Sequence, residues 1–253
     1  MKILISGALG HMGRAVAAQA SADGIEIVAG VDALQGDCFF PCHTSLDALP
    51  DCSGAVIVDF SRPEALTSLL AYAVKNHLPV VLATTGYTPE QEQEVDQAAR
   101  QIPVFRSANM SVGVALLRHL CQEAAKVLGE TFDVEIVEAH HNRKVDAPSG
   151  TAKLILRQID PEGLYAPVYG RSGRIGARGR EIGVHAVRGG TAAGEHSLRF
   201  FGRMEELELR HRADSREIFA QGALRAAAFA RKAEPGLYDM EDVLFGGDGW
   251  TRS

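Results

Sequence analysis

The sequence predicts an α/β protein with a doubly wound parallel sheet, followed by a second α+β domain that contains a mixed or antiparallel sheet. Two observations lead to this prediction. Through the first 107 residues, short β-branched runs alternate strictly with helical patterns, as in parallel sheets covered on both faces by helices. Beyond residue 180, strand-like runs follow one another without helices between them, which favours antiparallel or mixed pairing.

The first half contains five predicted strands and three predicted helices. Apolar runs predict buried strands at residues 3–6, 26–31, 55–60, 79–84 and 103–106. Helical patterns lie between them at residues 14–22, 63–76 and 89–100. The third helix has a distinct start signal, because Thr88 precedes Pro89 and an acidic residue follows at once.

The second half begins with a predicted helix at residues 114–128, which ends at Gly129, a residue type common after helix C-termini. Further elements are expected at residues 131–141 (strand), 148–158 (helix), 181–187, 195–201 and 205–212 (strands) and 216–230 (helix). We expect the final helix and tail to return to the first domain. The predicted domains are therefore residues 1–107 with 217–253, and residues 108–216.

The composition excludes several classes of partner. The 253 residues carry 26 Lys and Arg against 32 Asp and Glu, a net charge of −6. Because nucleic acids and anionic membranes require a basic surface, neither is expected to be a partner.

The first apolar run is interpreted as a strand and not as an export signal, so we expect a cytoplasmic protein with reduced cysteines. Cys38, Cys42 and His43 lie close together but lack a second ligand pair, so no metal is predicted.

A glycine-rich turn lies directly between the first strand and the first helix. Residues 7–13 read Gly-Ala-Leu-Gly-His-Met-Gly, a variant of the GxGxxG fingerprint of Rossmann-type dinucleotide-binding domains. Asp32 ends the second strand, where an acid binds the ribose hydroxyls of NAD. The alternative is a plain glycine turn beside a solvated Asp32. The predicted cofactor-binding residues are Gly7, Ala8, Leu9, Gly10, His11, Met12 and Asp32.

Cofactor choice depends on what surrounds Asp32. A carboxylate favours the ribose diol of NAD, whereas a 2′-phosphate would need a basic neighbour, and Ala33 follows instead. We therefore expect NADH to be at least accepted. Arg14 could reach a 2′-phosphate, so use of NADPH is not excluded.

Two further turns follow parallel strands at the edge where such sheets bind ligands. They add Ala83, Thr84, Thr85, Ser107, Ala108, Asn109 and Met110 as cofactor-binding candidates, although these are also ordinary turn residues.

A basic cluster follows the strand at residues 131–141. His140, His141, Arg143 and Lys144 lie within five residues. Adjacent His residues on a strand point to opposite faces, so the cluster suits acid–base chemistry better than metal binding. The sequence Pro-Ser-Gly-Thr at 148–151 then starts a helix whose first N–H groups can hold a carboxylate. The segment predicts a pocket for an anionic small molecule; the alternative is a solvated basic loop with an ordinary helix cap.

Residues 135–152, Glu-Ile-Val-Glu-Ala-His-His-Asn-Arg-Lys-Val-Asp-Ala-Pro-Ser-Gly-Thr-Ala, resemble the signature of the 4-hydroxy-tetrahydrodipicolinate reductase family. The likeness spans nearly the whole chain. It includes residues 58–64 (Val-Asp-Phe-Ser-Arg-Pro-Glu), 107–114 (Ser-Ala-Asn-Met-Ser-Val-Gly-Val), 187–190 (Val-Arg-Gly-Gly), 194–196 (Gly-Glu-His) and 219–223 (Phe-Ala-Gln-Gly-Ala).

The resemblance implies hydride transfer from NADH or NADPH to a small cyclic dicarboxylate, in the diaminopimelate route to lysine. It implies that His140 is a catalytic proton donor or acceptor and that Lys144 is the second proton donor. The implied substrate-binding residues are His141, Ser149, Gly150 and Thr151. A homotetramer built through the second domain's sheet is also implied. We therefore expect residues 1–107 with 217–253 to form the dinucleotide-binding domain, and residues 108–216 to form the substrate-binding and oligomerisation domain.

Two other functions remain open at this stage. One is an NAD-dependent dehydrogenase of another anionic imine or amino acid, and the other is a non-catalytic nucleotide-binding regulator. A basic segment interrupted by glycines also has two interpretations. We favour a solvated flexible loop; the alternative is a segment that becomes ordered when it contacts substrate or another subunit. Its basic residues are Arg171, Arg174, Arg178 and Arg180.

Overall fold

A computed structural model describes residues 1–246. The strands are β1 (Lys2–Ser6), β2 (Glu26–Val31), β3 (Cys42–His43), β4 (Ala55–Asp59), β5 (Val80–Leu82), β6 (Pro103–Arg106), β7 (Asp133–His140), β8 (Ala166–Tyr169), β9 (Glu181–Arg188), β10 (Gly194–Phe201), β11 (Glu206–Ala213) and β12 (Gly236–Tyr238). The helices are α1 (His11–Ala22), α2 (Leu66–Lys75), α3 (Pro89–Ala99), α4 (Val112–Leu128), α5 (Gly150–Ile159), α6 (Glu217–Ala230) and α7 (Met240–Phe245).

The chain divides into two units. The first comprises residues 1–112 together with the described residues from Glu217 onward, and the second is Gly113–Arg216. The helix α6 packs against α1 and against β4, β5 and β6, so it belongs to the first unit. The functional roles predicted for the two domains stay predictions at this point.

The first unit is a seven-stranded sheet in which every pair is parallel, in the order β12-β6-β5-β4-β1-β2-β3. Alternate side chains of each strand point to opposite faces. Leu4, Ile57 and Leu82 pack with α2 and α3 in one apolar cluster, and α1 and α6 lie against the sheet as well. The strand order reverses between β1 and β4, and parallel sheets bind ligands at the carboxyl ends of the strands beside such a reversal.

The second unit contains a five-stranded mixed sheet in the order β11-β10-β7-β9-β8. Pairs on one side of β7 are antiparallel, and those on the other side are parallel. One face packs in a single apolar cluster that includes Leu117 of α4, Ile155 of α5 and Phe200. Together, the parallel sheet and the mixed sheet confirm the predicted fold class.

Four short elements were not predicted: β3, β8, β12 and α7. They are two to six residues long, and their apolar content shows no clear period. The three strands form because a neighbouring strand supplies backbone partners, as β2 does for β3. The helix α7 begins at a capping box in which the Asp239 side chain accepts from the Glu241 and Asp242 N–H groups. The helix α1 also begins at His11, three residues before the predicted start, so His11 and Met12 lie in its first turn. In the described part of the chain, no helix is long and apolar enough to cross a membrane.

Candidate active site

The glycine turn after β1 has no space for a side chain at two of its positions. Gly7 has φ 75°, in the left-handed region, and its N–H donates to the Val31 carbonyl at 2.9 Å. A Cβ on Gly13 would lie 2.1 Å from the Gly7 carbonyl oxygen, and a Cβ on Gly7 would lie 2.6 Å from the Phe60 carbonyl oxygen. Glycine at these two positions therefore allows α1 to begin directly against the end of β1.

The first turn of α1 offers backbone donors to a ligand. Gly10 is the residue before the helix, and no side chain of the described residues caps it with a hydrogen bond. A helix N-terminus has unpaired N–H groups and the positive end of the helix dipole. This end of α1 is therefore suited to a pyrophosphate.

Asp32 lies at the end of β2 and holds the glycine turn. Its carboxylate accepts hydrogen bonds from the Leu9 N–H at 2.9 Å and from the Leu34 N–H at 3.0 Å. Each carboxylate oxygen retains a further acceptor site. The acid is thus fixed beside the turn and can still receive ribose hydroxyls.

A groove of about 1270 Å³ within the first unit contains these features. It is lined by Gly7, Leu9, Gly10 and Asp32, and by Phe60 after β4. A smaller cavity of about 380 Å³ extends from the start of α1 to the turn after β5. The structure thus brings predicted residues from two loops to this smaller cavity: Gly10, His11, Met12, Ala83, Thr84 and Thr85.

The turns after β5 and β6 are held by internal hydrogen bonds. The Thr84 hydroxyl donates to Asp59 Oδ2 at 2.7 Å, and Asp59 is 1% exposed. Ser107 Oγ donates to the Asn109 carbonyl at 2.8 Å and accepts from the Asn109 N–H. The Asn109 side chain in turn accepts from the Ser111 N–H at 2.9 Å. These bonds fix the shape of both turns.

In the second unit, a buried carboxylate lies beside His140. Glu138 is fully buried on β7, and its Oε2 lies 2.6 Å from His140 Nδ1. Arg188 of β9 donates both terminal nitrogens to the same carboxylate, at 2.8 and 2.7 Å, and the Ser149 N–H donates at 3.0 Å. Burial acts to raise the pKa of Glu138, but the hydrogen bonds from His140 and Arg188 outweigh it and lower the pKa to about 2.

A second buried histidine contacts the start of α5. His196 of β10 is 3% exposed, and its Nε2 lies 2.9 Å from the Ser149 hydroxyl. Burial, together with the charge of His140, lowers the pKa of His196 to about 4. The imidazole is therefore neutral near pH 7. Ser149 Oγ also accepts from the Ala152 N–H at 3.2 Å, so the hydroxyl caps α5.

The remaining basic residues follow β7 in a tight loop. Arg216 lies with a terminal nitrogen 3.0 Å from His141 Nε2, and burial and the Arg216 charge lower the pKa of His141. Lys144 Nζ pairs with the Asp146 carboxylate at 2.7 Å, and the Lys144 side chain is 20% exposed. The structure thus places His140, His141 and Lys144 at one end of the mixed sheet.

The basic segment at 171–180 is not a free solvated loop in the structure. Arg171 pairs with Glu181 at 2.6 Å and with Glu135, and Arg178 also pairs with Glu135. Glu135 lies in the middle of β7 on the face opposite the apolar cluster. The segment therefore lies along the second unit's sheet, and the favoured interpretation of a free loop is wrong for these two arginines.

Sequence reasoning missed the roles of Asp59, Glu138, Arg188 and His196. All four lie in motifs that carried the family resemblance, but none was assigned to the site. A charged or imidazole residue inside an otherwise apolar strand is the signal that could have identified them, because buried charges require partners. Among the described residues, no group of three or more His, Cys, Asp or Glu could hold a metal ion.

The fold and these two groups of residues define a class: a two-unit α/β protein with a Rossmann-type groove in one unit and a cluster of ionisable side chains in the other. Two family models match this chain. The model described as "Dihydrodipicolinate reductase, N-terminus" matches residues 1–110, and the model described as "Dihydrodipicolinate reductase, C-terminus" matches residues 113–244. The chain belongs to the 4-hydroxy-tetrahydrodipicolinate reductase family, as the resemblance predicted.

Relatives over the full length agree with this assignment. The chain is 43% identical over 248 residues to 4-hydroxy-tetrahydrodipicolinate reductase of Clostridium novyi (strain NT), covering 96% of this chain and 98% of the relative. It is 47% identical over 249 residues to the protein of that name from Caldanaerobacter subterraneus subsp. tengcongensis, again covering 96% and 98%. A dipicolinate-bound dihydrodipicolinate reductase from Paenisporosarcina sp. TG-14 has the same fold, with a TM-score of 0.78, 24% identity and coverage of 94% of this chain and 97% of that chain.

Proposed function

We propose that this member of the reductase family reduces 4-hydroxy-tetrahydrodipicolinate with NADH or NADPH, using His140 and Lys144 as proton donors. The observation that carries the proposal is the single cluster formed by His140, Lys144 and the start of α5 at one end of the mixed sheet. The identity of the substrate is inferred from family membership. The cluster contains the proton donors and the anion-binding N–H groups that such a carboxylated substrate requires.

The groove of the first unit fits a dinucleotide. Its glycines leave the backbone bare where a pyrophosphate would approach, and the start of α1 offers N–H donors. Asp32 would receive the ribose hydroxyls, and the Thr84 and Asn109 turns would border the nicotinamide. When bound, the nicotinamide supplies the hydride. Since Asp32 is charged and Ala33 follows it, we propose that NADH is used at least as well as NADPH.

The substrate's carboxylates would be held by the second unit. The backbone N–H groups of Gly150 and Thr151 lie in the first turn of α5, where the helix dipole favours an anion. We propose that His141 and Arg143, in the loop after β7, add polar and positive groups to the binding of these carboxylates. The Ser149 hydroxyl is already engaged by His196 and by the helix, so we propose that its contribution to binding is to shape α5 and not to contact substrate.

His140 and Lys144 would complete the reaction by moving protons. Reduction of an unsaturated ring carbon and loss of the 4-hydroxyl group both need a proton from a positioned acid. His140 is held through Nδ1 by Glu138, so Nε2 is the nitrogen that can exchange a proton with a ligand. Lys144 carries a compact positive charge that stabilises the substrate's anionic groups and can donate a proton.

Assembly and location rest on family resemblance. We propose a cytoplasmic homotetramer whose subunits meet through the second unit's sheet. The face of that sheet that carries Glu135 has alternating charges, with Arg199 paired to Glu206 at 2.5 Å and Arg210 paired to Glu195 at 2.8 Å. Sedimentation equilibrium of the purified chain would show a single species of four subunits; a monomer at micromolar concentration would contradict this proposal.

A coupled assay tests the reaction. Pyruvate and aspartate semialdehyde are supplied with the synthase that condenses them, and oxidation of NADH and NADPH is followed by the loss of absorbance. We expect oxidation that depends on the synthase and on this chain. Absence of oxidation with both nucleotides, in a protein that still binds them, would contradict the proposal. Synthase-independent oxidation with an amino acid or another imine would favour a different dehydrogenase.

A further inference from the structure

A group of buried polar side chains lies behind His140 in the second unit. Among the second unit's described residues, Glu138 is the one carboxylate that is fully buried. Its four hydrogen-bond donors are His140, Ser149 and the two nitrogens of Arg188. A carboxylate with this many donors remains ionised, and its position is fixed by three separate elements.

We propose that Glu138 and Arg188 form a buried charge pair that fixes His140 with its proton on Nδ1, and that both are positioning residues for proton transfer at His140. This inference rests on the proposed function of His140. A carboxylate can only accept, so the short contact at Nδ1 requires a proton on that nitrogen. Nε2 then carries the lone pair or the transferable proton.

Space at Nε2 supports the same assignment. Gly194 lies at the start of β10, and a Cβ at that position would lie 3.1 Å from His140 Nε2. The absence of a side chain there leaves room beside the nitrogen that the proposal makes reactive. The His140 ring is 12% exposed, so it is accessible over a small area only.

Arg188 has a distinct part in this arrangement. Its guanidinium makes two hydrogen bonds to Glu138 and a third to the Asp146 carbonyl at 2.7 Å, so it joins β7 to the loop that carries Lys144. It also offsets the charge of Glu138. A bare carboxylate would hold the proton on imidazolium strongly, whereas a carboxylate shared with a guanidinium holds it less strongly.

The charged groups around His140 come from every element that packs near it. From β7, β9, β10, β11 and the following loop, they are Glu138, Arg188, His196, His211, Lys144 and His141. Glu138 is the acid that contacts His140 directly, whereas the Asp146 carboxylate is paired with Lys144. Removal of Glu138 should therefore change the titration of His140 in one direction. Removal of Arg188 should change it in the other.

The test uses the full chain without substrate, with ¹⁵N-labelled histidine and NMR titration, and assigns His140 by comparison with His140→Gln. In the unmodified chain we expect Nδ1 to carry the proton of the neutral ring. Glu138→Gln should lower the pKa of His140 by about one pH unit, and Arg188→Met should raise it by about one pH unit. In the coupled assay, Glu138→Gln should reduce kcat by about 100-fold with little change in KM.

Two further variants separate an effect on His140 from a failure of the protein to fold. Glu138→Gln with Arg188→Met removes both charges together and leaves no unpaired buried ion, so it should fold and give a His140 pKa between those of the single variants. Glu123→Gln breaks a surface pair with Lys126 at 2.7 Å on α4, and should change neither the titration nor kcat.

The outcomes separate the two proposals. Shifts of the same sign in both single variants, or a proton on Nε2 of the neutral ring, would overturn the positioning role. If Glu138→Gln does not fold, an unchanged His140 pKa in Arg188→Met overturns it. Full turnover of His140→Gln would instead overturn the catalytic role of His140, while the NMR result would still decide how Glu138 and Arg188 act on the ring.

Discussion

The two proposed sites of this chain each include the start of a helix, but they differ in what surrounds it. In the first unit the start of α1 is surrounded by bare backbone, with two glycines that have no space for a Cβ. In the second unit the start of α5 lies beside ionisable side chains that pair with one another, with Glu138 at the centre of four hydrogen bonds. The first site is therefore sensitive to shape and the second to charge and pH.

The two sites should therefore respond to different perturbations. Backbone donors carry no titratable group, so a change of pH near neutrality should leave the groove's hydrogen bonds intact. Buried histidines and carboxylates exchange protons, so the second unit should respond to pH and to charge removal. Each prediction below tests one side of this contrast.

The largest effect is expected at the charge-dependent site. Lys144→Ala should lower kcat by about 100-fold or more, because a positioned acid contributes on that order, while nucleotide affinity stays unchanged. Steady-state assays and titration of NADH fluorescence measure the two quantities. Lys153→Ala, which removes an exposed lysine of α5, is the matched control. Unchanged turnover of Lys144→Ala would remove this residue from catalysis.

The backbone site should respond to one methyl group. Gly13→Ala places a Cβ 2.1 Å from the Gly7 carbonyl oxygen, so the turn must shift. A cost of about 3 kcal/mol would weaken nucleotide binding about 100-fold. Calorimetric titration with NADH measures this effect, and circular dichroism confirms folding. Gly179→Ala, at a position with no atom within 4 Å of the added Cβ, should bind normally. Equal affinity of both variants would show that the turn is not the binding element.

Acid sensitivity should come from His196. Its pKa in the folded chain is about 4 against a usual 6.5, so the unfolded chain binds the proton more tightly. Stability is therefore fully present above pH 6.5 and declines as the pH falls toward 4, by up to about 3 kcal/mol. His196→Gln should flatten this part of the curve in urea unfolding, whereas His77→Asn, at an exposed position, should not. An unchanged slope in His196→Gln would contradict the assignment.

The smallest effect is expected at Asp32, the one charged side chain in the backbone site that we assign to ribose binding. Asp32→Ala should weaken NADH about 10-fold and NADPH less, because the carboxylate favours a free 2′-hydroxyl over a 2′-phosphate. Asp32→Asn keeps one acceptor for the Leu9 or Leu34 N–H and separates the loss of charge from disturbance of the turn. Equal weakening of the two nucleotides in both variants would show that Asp32 does not select the cofactor.

Much of the first site could be predicted because its parts are adjacent in sequence. The spacing of Gly7, Gly10 and Gly13 is sufficient to indicate a strand–turn–helix unit, and Asp32 follows at the end of the next strand. What spacing could not show is that Phe60 after β4 lines the same groove. That contact depends on the order of strands in the sheet, in which β4 pairs with β1.

The second site was predicted in part for the opposite reason. His140, Lys144 and the start of α5 lie within a few residues, so the basic cluster could be identified from the chain. Arg188 and His196 lie about 50 residues further on, and they reach Glu138 and Ser149 because β9 and β10 flank β7. The spacing of residues along the chain does not predict which strands will be neighbours in the sheet.

The fold class, the glycine turn, the basic cluster and the family could thus be inferred from the chain, since each depends on residue types at short separations. The burial of Glu138 between Arg188 and His140, and the pairing of Arg171 and Arg178 with Glu135 of the sheet, became evident only in the folded structure. The physical reason is that burial and strand neighbours set the charge of an ionisable group, and both arise from contacts between distant parts of the chain.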